Sequence, residues 1–383
     1  MQVCKKGIWN ETIPGITFNE SGISNFCSLQ EVMMNQYPRG AKGMQDWENI
    51  ISKMKKNVGK SGYHCIVGVS GGVDSSYLMV LLKEAGLNPL AVNLDNGFNS
   101  KVAVQNIYKI TEKLNIDLET YVIDYEEIKD LMRSFLFARY PWVDAPTDLA
   151  IKAVMYKYAI RENIRYIIRG NDFRSEGKQP KEWTYSDKRQ LKYIHKKYGV
   201  RKRLKSYPML NIGTMIYAAS VKKIKDIRPF YYLHYQKQTA KKELIERYGW
   251  VDYGGHHHEN LFTKFAIAYW LPGKFNIDKR LINLSAQVLS GAITREEALL
   301  QIEQPFGSAK ELEELKDYTL KKLDIGREEF ERIWHGSNMN NHDYPSNYRI
   351  IYSLLNMFNP IIKLVFDFKP TSITAKNIID KNE

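Results

Sequence analysis

Only three cysteines, Cys4, Cys27 and Cys65, occur in 383 residues. That is too few for a disulfide framework, and the opening MQVCKKGIWNETIPG lacks the apolar core of an export signal. The expectation is a reducing, cytoplasmic setting. Long hydrophobic runs are missing too. The longest, Ile350 to Phe366, is broken by Asn356, Asn359, Pro360 and Lys363, whereas a spanning helix needs about 20 predominantly apolar residues. This predicts no membrane span and at most peripheral membrane contact. Acidic side chains are scarce, with 43 Asp and Glu against 56 Lys and Arg, so the net charge is +13. Such a balance favours anionic partners without choosing among nucleic acid, anionic lipid and phosphorylated small molecules. There is no internal repeat and no low-complexity tract. With 12% aromatic and 26% charged residues, global disorder is excluded. A Walker A loop is also lacking, because Gly59-Lys60-Ser61 has Met54 where the earlier glycine is required.

What is present divides the chain into three. Residues 1–60 read as an irregular segment with turn signals at Pro14-Gly15 and Ser21-Gly22, ending in a polar helix near Gln45–Lys56. Residues 61–235 alternate short apolar strands (His64–Val69, Pro89–Leu94, Glu119–Ile123, Tyr166–Ile168) with helices (Ser75–Ala85, Lys101–Leu114, Thr147–Glu162). This alternation specifies an α/β fold, a parallel sheet with helices on both faces. After Gly170 the pattern breaks into a basic, aromatic stretch. Residues 236–383 read as mainly helical, including Thr294–Ile302 and Ala309–Leu323, with Thr294-Arg295-Glu296-Glu297 as a capping box.

The most specific feature is Ser70-Gly71-Gly72-Val73-Asp74-Ser75-Ser76, between the first buried strand and a helix. Paired glycines allow a tight turn that brings amide N–H groups against an anion, and the helix start adds unpaired donors. Ser70, Ser75 and Ser76 add hydroxyls. Asp74 would repel a phosphate directly, so its expected role is to hold a Mg²⁺ that bridges to it.

Strand-SGGVDSS-helix resembles the signature of the PP-loop ATP pyrophosphatases, which cleave ATP to AMP and pyrophosphate and activate an oxygen by adenylylation. The resemblance implies nucleotide contacts at the end of the second strand, where Leu94, Asp95 and Asn96 stand, and at Gly170 and Asn171 after the last. Three stretches together are similar to the N-acetyl sugar amidotransferases of surface-polysaccharide (LPS, O-antigen) biosynthesis. They are Pro14-Gly15-Ile16-Thr17-Phe18 followed by a cysteine, the phosphate loop with Asp95-Asn96-Gly97, and a long C-terminal pattern. That pattern runs from Tyr253-Gly254-Gly255-His256-His257-His258-Glu259 through Phe262 to Phe265, Leu271-Pro272 and Ile277 to Arg280, ending at Ser290-Gly291. The family opens with two Cys-x-x-Cys pairs, whereas here Gly7 and Ser24 accompany Cys4 and Cys27. Tetrahedral zinc needs four ligands, so no cysteine zinc site is expected.

Other constellations admit two readings each. His256-His257-His258-Glu259 departs from H-E-x-x-H and is either a polar helix start or part of the acceptor site. In the second case His258, Glu259 and Lys264 are catalytic candidates, Lys264 toward phosphate charge and Glu259 toward the ammonia proton. Arg169, Arg174 and Lys178 are candidates for substrate phosphate or carboxylate. Lys188–Lys205 carries nine Lys and Arg, read as a solvated helical face or as a surface for an anionic nucleotide-sugar, an acidic partner or RNA. Cys65 is expected to be a packed thiol, and Trp142, Trp250 and Trp270 are expected in the core.

The resemblance implies a cytoplasmic enzyme that uses ATP and Mg²⁺ to convert an acetamido group of a UDP-linked sugar, a diacetamido uronic acid, into an acetamidino group. The route is an adenylylated imidate displaced by ammonia. No cysteine is placed to serve as a glutaminase nucleophile, so separate glutaminase and cyclase-like ammonia-delivering subunits are the implied partners. No specific nucleic acid is expected. The alternatives are a tRNA-modifying PP-loop enzyme and a non-catalytic ATP-binding scaffold.

Overall fold

A computed structural model describes residues 1–254, 259–348 and 353. Five parallel strands form one sheet: β1 (Cys65–Gly68), β2 (Pro89–Asp95), β3 (Leu118–Val122), β4 (Tyr166–Ile168) and β5 (Lys225–Ile227). Their order is β3-β2-β1-β4-β5. Val67 pairs with Ala91 and Ile168, and Ile66 with Leu90 and Ile167. The chain winds outward from β1 to β3, then crosses back to β4, so the carboxyl ends of β1 and β4 diverge. Open α/β sheets bind ligands at such a switch point.

Alternation along the strands fills both layers. Cys65 and Val67 join Leu78, Leu82, Ile107 and Ile110 on one face, while Ile66 and Ile167 pack with Val154, Met155 and Tyr158 on the other. β5 falls inside the stretch whose sequence shows no strand. It is a three-residue edge strand, Lys-Asp-Ile, half-buried throughout, so it carries no apolar run. A helix at Tyr125–Phe137 was equally unmarked, although Asp124 caps it and its buried face packs on the helix Lys188–Tyr198.

The N-terminal segment is more regular than its turns suggest, with helices Asn25–Gln36 and Ala41–Lys55. Cys4, Ile8, Trp9, Ile13 and Cys27 share a core with Leu281, Ile282, Leu284 and Ala298, so the N-terminal segment packs on the first C-terminal helices. The C-terminal helices include Arg280–Leu289, Arg295–Glu303, Ala309–Lys322 and Arg327–His335. The capping box forms as expected: Thr294 Oγ1 accepts from the Glu297 N–H at 3.1 Å, and the Glu297 carboxylate accepts from the Thr294 N–H at 2.7 Å. Among the described residues no helix is long and apolar enough to cross a membrane. Apart from Ser353, the stretch Ile350 to Phe366 lies outside the described residues.

Candidate active site

The phosphate loop turns on Gly71. Its φ is +82°, a region open to glycine, and a Cβ there would collide with the Ala103 carbonyl. The indole of Trp250 donates to the Gly71 carbonyl at 3.0 Å and pins the turn from outside. Ser75 Oγ accepts from the Ser70 N–H at 3.2 Å and donates to the Gly72 carbonyl at the same distance. The helix Val73–Glu84 begins immediately after Gly72 with no side-chain cap. Its first N–H groups face a cradle that suits an anion. Ser76 Oγ is buried without a partner.

This loop forms one wall of a cavity of about 660 Å³. The second strand's end contributes Leu94 and Asn96, the fourth strand's end contributes Arg169, Gly170 and Asn171, and the C-terminal region contributes Tyr253, Glu259, Asn260, Thr263 and Lys279. Gly170 packs directly on Asp74, since a Cβ there would be 3.2 Å from the Asp74 carbonyl carbon. Asp74 accepts a hydrogen bond from the Tyr235 hydroxyl and pairs with Lys237 Nζ at 3.2 Å. Glu259 reaches the same end. It accepts from Tyr253 Oη at 3.4 Å, and a Cβ on Gly72 would be 3.5 Å from Glu259 Oε1.

Two carboxylates beside a glycine cradle fit Mg²⁺, which takes one or two protein carboxylates and completes its shell with substrate phosphates and water. Asp74 and Glu259 would hold it. No group of three or more His, Cys, Asp and Glu suited to a metal occurs among the described residues, so any such ion would depend on the nucleotide for its remaining ligands.

An amide network stiffens the floor. Asn260 Nδ2 donates to Asn96 Oδ1 at 2.9 Å and to Asn99 Oδ1 at 3.1 Å, while Asn260 Oδ1 caps the helix Leu261–Phe265. Asn96 Nδ2 donates to Thr147 Oγ1 at 3.0 Å. Asn96 thus joins the nucleotide-side strand, the helix Ala145–Arg161 and the C-terminal region.

The cavity's other end was not anticipated. Asp144 is 2% exposed, accepts from Thr263 Oγ1 at 2.5 Å through Oδ2, and has no well-formed hydrogen bond on Oδ1. Burial first, then the charge of Asp148, push its carboxyl up to about 7. Asp148 accepts from the indole of Trp142 at 2.6 Å. Lys279 Nζ sits 4.0 Å from the centre of the Trp142 ring, and burial lowers its pKa. The available sequence signal was Asp144 and Asp148 four residues apart at a helix start, which places both on one face.

Several expected site residues lie elsewhere. Arg174 is buried, donates to the backbone carbonyls of Tyr231 (3.0 Å) and Tyr37, and stacks 4.5 Å from the Phe173 ring centre. It holds the core together and does not line the cavity. Asp95 accepts from the Gly97 N–H at 2.8 Å and shapes the turn. Lys264 and Lys178 are outside the lining, although burial and Arg228 push Lys178 down to about 8. His258 lies outside the described residues. The three tryptophans expected in the core, Trp142, Trp250 and Trp270, are all buried there, and Trp142 and Trp250 also border the cavity.

Cys65 is a fully buried thiol. Cys4 and Cys27 share a hydrogen bond that lowers the first and raises the second. Ser24 caps the helix that carries Cys27, and a side chain on Gly7 would meet the Trp9 ring at 2.7 Å. Two of the four positions that would carry zinc ligands therefore have packing roles here.

The basic stretch is anchored by acids. Glu127 accepts from the N–H groups of Lys205, Ser206 and Tyr207 and from Ser206 Oγ. Burial alone would raise its pKa, and these backbone donors outweigh it, so the net shift is downward. Asp130 accepts from Val200 N and Arg201 N at 2.9 Å and meets His195 Nε2 at 3.0 Å. The helix Lys188–Tyr198 buries Gln190, Leu191, Ile194 and His195, leaving its cations on the outer face.

Two family models match the chain in separate places. The NAD synthase model matches residues 46–177, which carry the phosphate loop, and the model of the LPS biosynthesis protein WbpG-like C-terminal domain matches residues 259–358. An uncharacterized protein of Methanocaldococcus jannaschii is 38% identical over 97 residues, which is 25% of this chain and 34% of that protein. The chain therefore spans about a third of the curated relative it matches. Among solved structures, the NH3-dependent NAD synthetase of Campylobacter jejuni aligns at 14% identity over 78% of this chain and 94% of its own, with a TM-score of 0.31. The U34-tRNA thiolase NcsA of Methanococcus maripaludis aligns at 14% identity over 80% and 90%, with a TM-score of 0.29. Scores this low say nothing about chemistry. Together the two family models support an N-acetyl sugar amidotransferase-like PP-loop protein, with an NAD synthase-like part followed by a part similar to an LPS biosynthesis domain.

Proposed function

We propose that this chain uses ATP to convert an acetamido group on a nucleotide-linked sugar into an acetamidino group, forming AMP and pyrophosphate. One observation carries the proposal. The phosphate loop lies in the region matched by the NAD synthase model, and Glu259, Asn260, Thr263 and Lys279 lie in the region matched by the WbpG-like model, yet both line one cavity. An amide oxygen is a poor leaving group. Adenylylation turns it into one, since ammonia then displaces AMP.

The residues divide this work. The loop amides and Ser70 and Ser75 would bind ATP phosphates, and Asp74 and Glu259 would hold Mg²⁺, whose charge offsets that of the departing pyrophosphate. Lys237 lies beside Asp74 and adds a cation at the same end. Leu94 and Asn96 sit where the adenosine would lie.

The acceptor would carry a diphosphate, as in a UDP-linked diacetamido uronic acid. Support for an anionic acceptor comes from Arg169, Lys152, Lys178 and Arg228, which cluster around Asp226 and Glu176. Arg169 Nε is 2.9 Å from Asp226 Oδ2, and burial with the charge of Arg169 lowers the pKa of Lys152. Of these cations Arg169 lines the cavity, so it is the one placed to meet a further anion.

Ammonia would come from solution or from separate glutaminase and cyclase-like subunits, and the reaction would be cytoplasmic. The purified chain should release AMP and pyrophosphate only when ATP, the UDP-sugar and ammonium are present together. AMP release stimulated by a tRNA and indifferent to the sugar would replace this proposal with base modification.

A further inference from the structure

Activated amides need an amine with a free lone pair, and ammonium at neutral pH has none. Glu259, the sequence candidate for taking the ammonia proton, stands instead at the phosphate-loop end of the cavity, against Gly72 and Tyr253. The opposite end is built differently. Asp144 is buried on the cavity wall, its Oδ2 fixed by the Thr263 hydroxyl and its Oδ1 without a well-formed hydrogen bond. Asp148, four residues on, faces the same cavity beside Trp142, and Glu176 adds a third carboxylate to the lining. Lys279 supplies the cation at this end, over the Trp142 ring. Asp144 and Asp148 against Lys279 leave a surplus of negative charge here, since Glu176 also faces Lys178. The Thr147 hydroxyl also acts on this carboxylate, but a buried carboxylate oxygen without a well-formed donor is costly, and a cationic ligand that donates hydrogen bonds suits it.

We infer that Asp144, with Asp148 and the Trp142 face, forms the site that receives ammonium, and that Asp144 Oδ1 removes its proton. The inference rests on the proposed reaction. Ammonium transfers one proton to the Asp144 carboxylate. The nitrogen lone pair then forms the C–N bond to the imidate carbon, and the C–O bond to AMP breaks, its electron pair leaving on the phosphate oxygen. A proton moves within the adduct from the entering nitrogen to the sugar nitrogen, so the product is an amidinium. Asp144 returns its proton to solvent.

The groups around Asp144 suit this work. Burial and Asp148 push it up to about 7, against the Thr147 and Thr263 hydroxyls and Lys279, which pull it down. Buried Tyr207, whose hydroxyl donates to the Pro146 carbonyl, closes the site from behind. A general base is most effective with a pKa near the working pH.

The test uses the full chain with ATP, Mg²⁺ and the UDP-sugar, and compares ammonium with hydroxylamine, which is neutral at pH 7. Wild-type turnover with ammonium should rise through about pH 7. Asp144→Asn should lower amidine formation from ammonium at pH 7 by about 10²–10⁴-fold. It should recover toward alkaline pH and react far better with hydroxylamine. Thr263→Val, which removes a hydroxyl that lowers the Asp144 pKa, should move the wild-type pH midpoint upward, and serves if the Asn variant fails to fold.

Sugar-dependent exchange of pyrophosphate into ATP reports adenylylation separately. Equal losses with ammonium and hydroxylamine, an exchange loss as large as the product loss, or an unmoved midpoint in Thr263→Val would overturn the ammonium assignment alone. Absence of exchange in the wild type would instead overturn the reaction on which it rests.

Discussion

Replacing Asp74 with alanine separates binding chemistry from folding, because the structure fixes what the carboxylate does for each. Asp74 accepts from the Tyr235 hydroxyl and pairs with Lys237 at 3.2 Å, with side chains 25% and 39% exposed for Asp74 and Lys237. The exposed ion pair contributes about 0.2–1 kcal/mol. Leaving the Tyr235 hydroxyl unpaired costs about 1–3 kcal/mol, and less where cavity water reaches it. A carboxylate in the first helical turn adds about 0.3–1 kcal/mol. The variant should therefore lose about 1.5–5 kcal/mol, toward the lower end where water reaches Tyr235, with a fall in Tm of at most about 2–4 °C per kcal/mol for a chain of this length. AMP formation should fall by about 10²–10³ or more, the loss that follows removal of one group stabilising a developing charge. Thermal denaturation reads the first effect and AMP release the second. Asp74→Asn is the control, since its amide oxygen still accepts from Tyr235 while the charge is gone. It should regain most of the stability and little of the activity. An Asp74→Ala protein that folds and makes AMP at close to the wild-type rate would refute the role assigned to this residue.

Other consequences are as direct. Gly71→Ala combines a positive φ with a clash on the Ala103 carbonyl and should abolish ATP binding by calorimetry. Gly15→Ala, with φ +72° but nothing within 4 Å, should cost only about 1 kcal/mol of strain. Glu127 has a folded pKa below its unfolded value near 4.5, so its stabilisation is present above that pH and lost as pH falls through the folded value. Urea unfolding should show this decline in the wild type and a flatter profile in Glu127→Gln. RNA should bind weakly and without sequence preference. Submicromolar, tRNA-selective binding that falls about 10³–10⁵-fold between 50 and 200 mM salt would instead mark a nucleic-acid site. Purified chain should accept ammonium at alkaline pH and ignore glutamine until a glutaminase is added; product from glutamine with the chain alone would contradict this.

The sheet was legible because each of its three inner strands, β1, β2 and β4, is a buried apolar run beside a helix-period segment. β5 was not, since Lys225, Asp226 and Ile227 form an edge whose pairing depends on β4 rather than on their own hydrophobicity. The phosphate loop was legible for a local reason, seven consecutive residues that together make one anion cradle. The acidic end was not local. Asp144, Thr263 and Lys279 are far apart in sequence and meet only when the start of the helix Ala145–Arg161 and the C-terminal region close on one cavity. Arg174 shows the opposite failure. Its place after the fourth strand suggested a ligand contact, but Asp172 caps a short turn of helix there and carries the guanidinium inward, onto the Tyr37 and Tyr231 carbonyls.

The central claim is that ATP activates the acetamido oxygen, and the fate of that oxygen tests it most directly. The UDP-sugar would be prepared with oxygen-18 in the acetamido group and turned over with ATP and ammonium. Adenylylation followed by displacement predicts that the heavy oxygen appears in the phosphate of AMP, with none left at the acetamidino carbon. Recovery of unlabelled AMP, or of ADP with the label in inorganic phosphate, would contradict it.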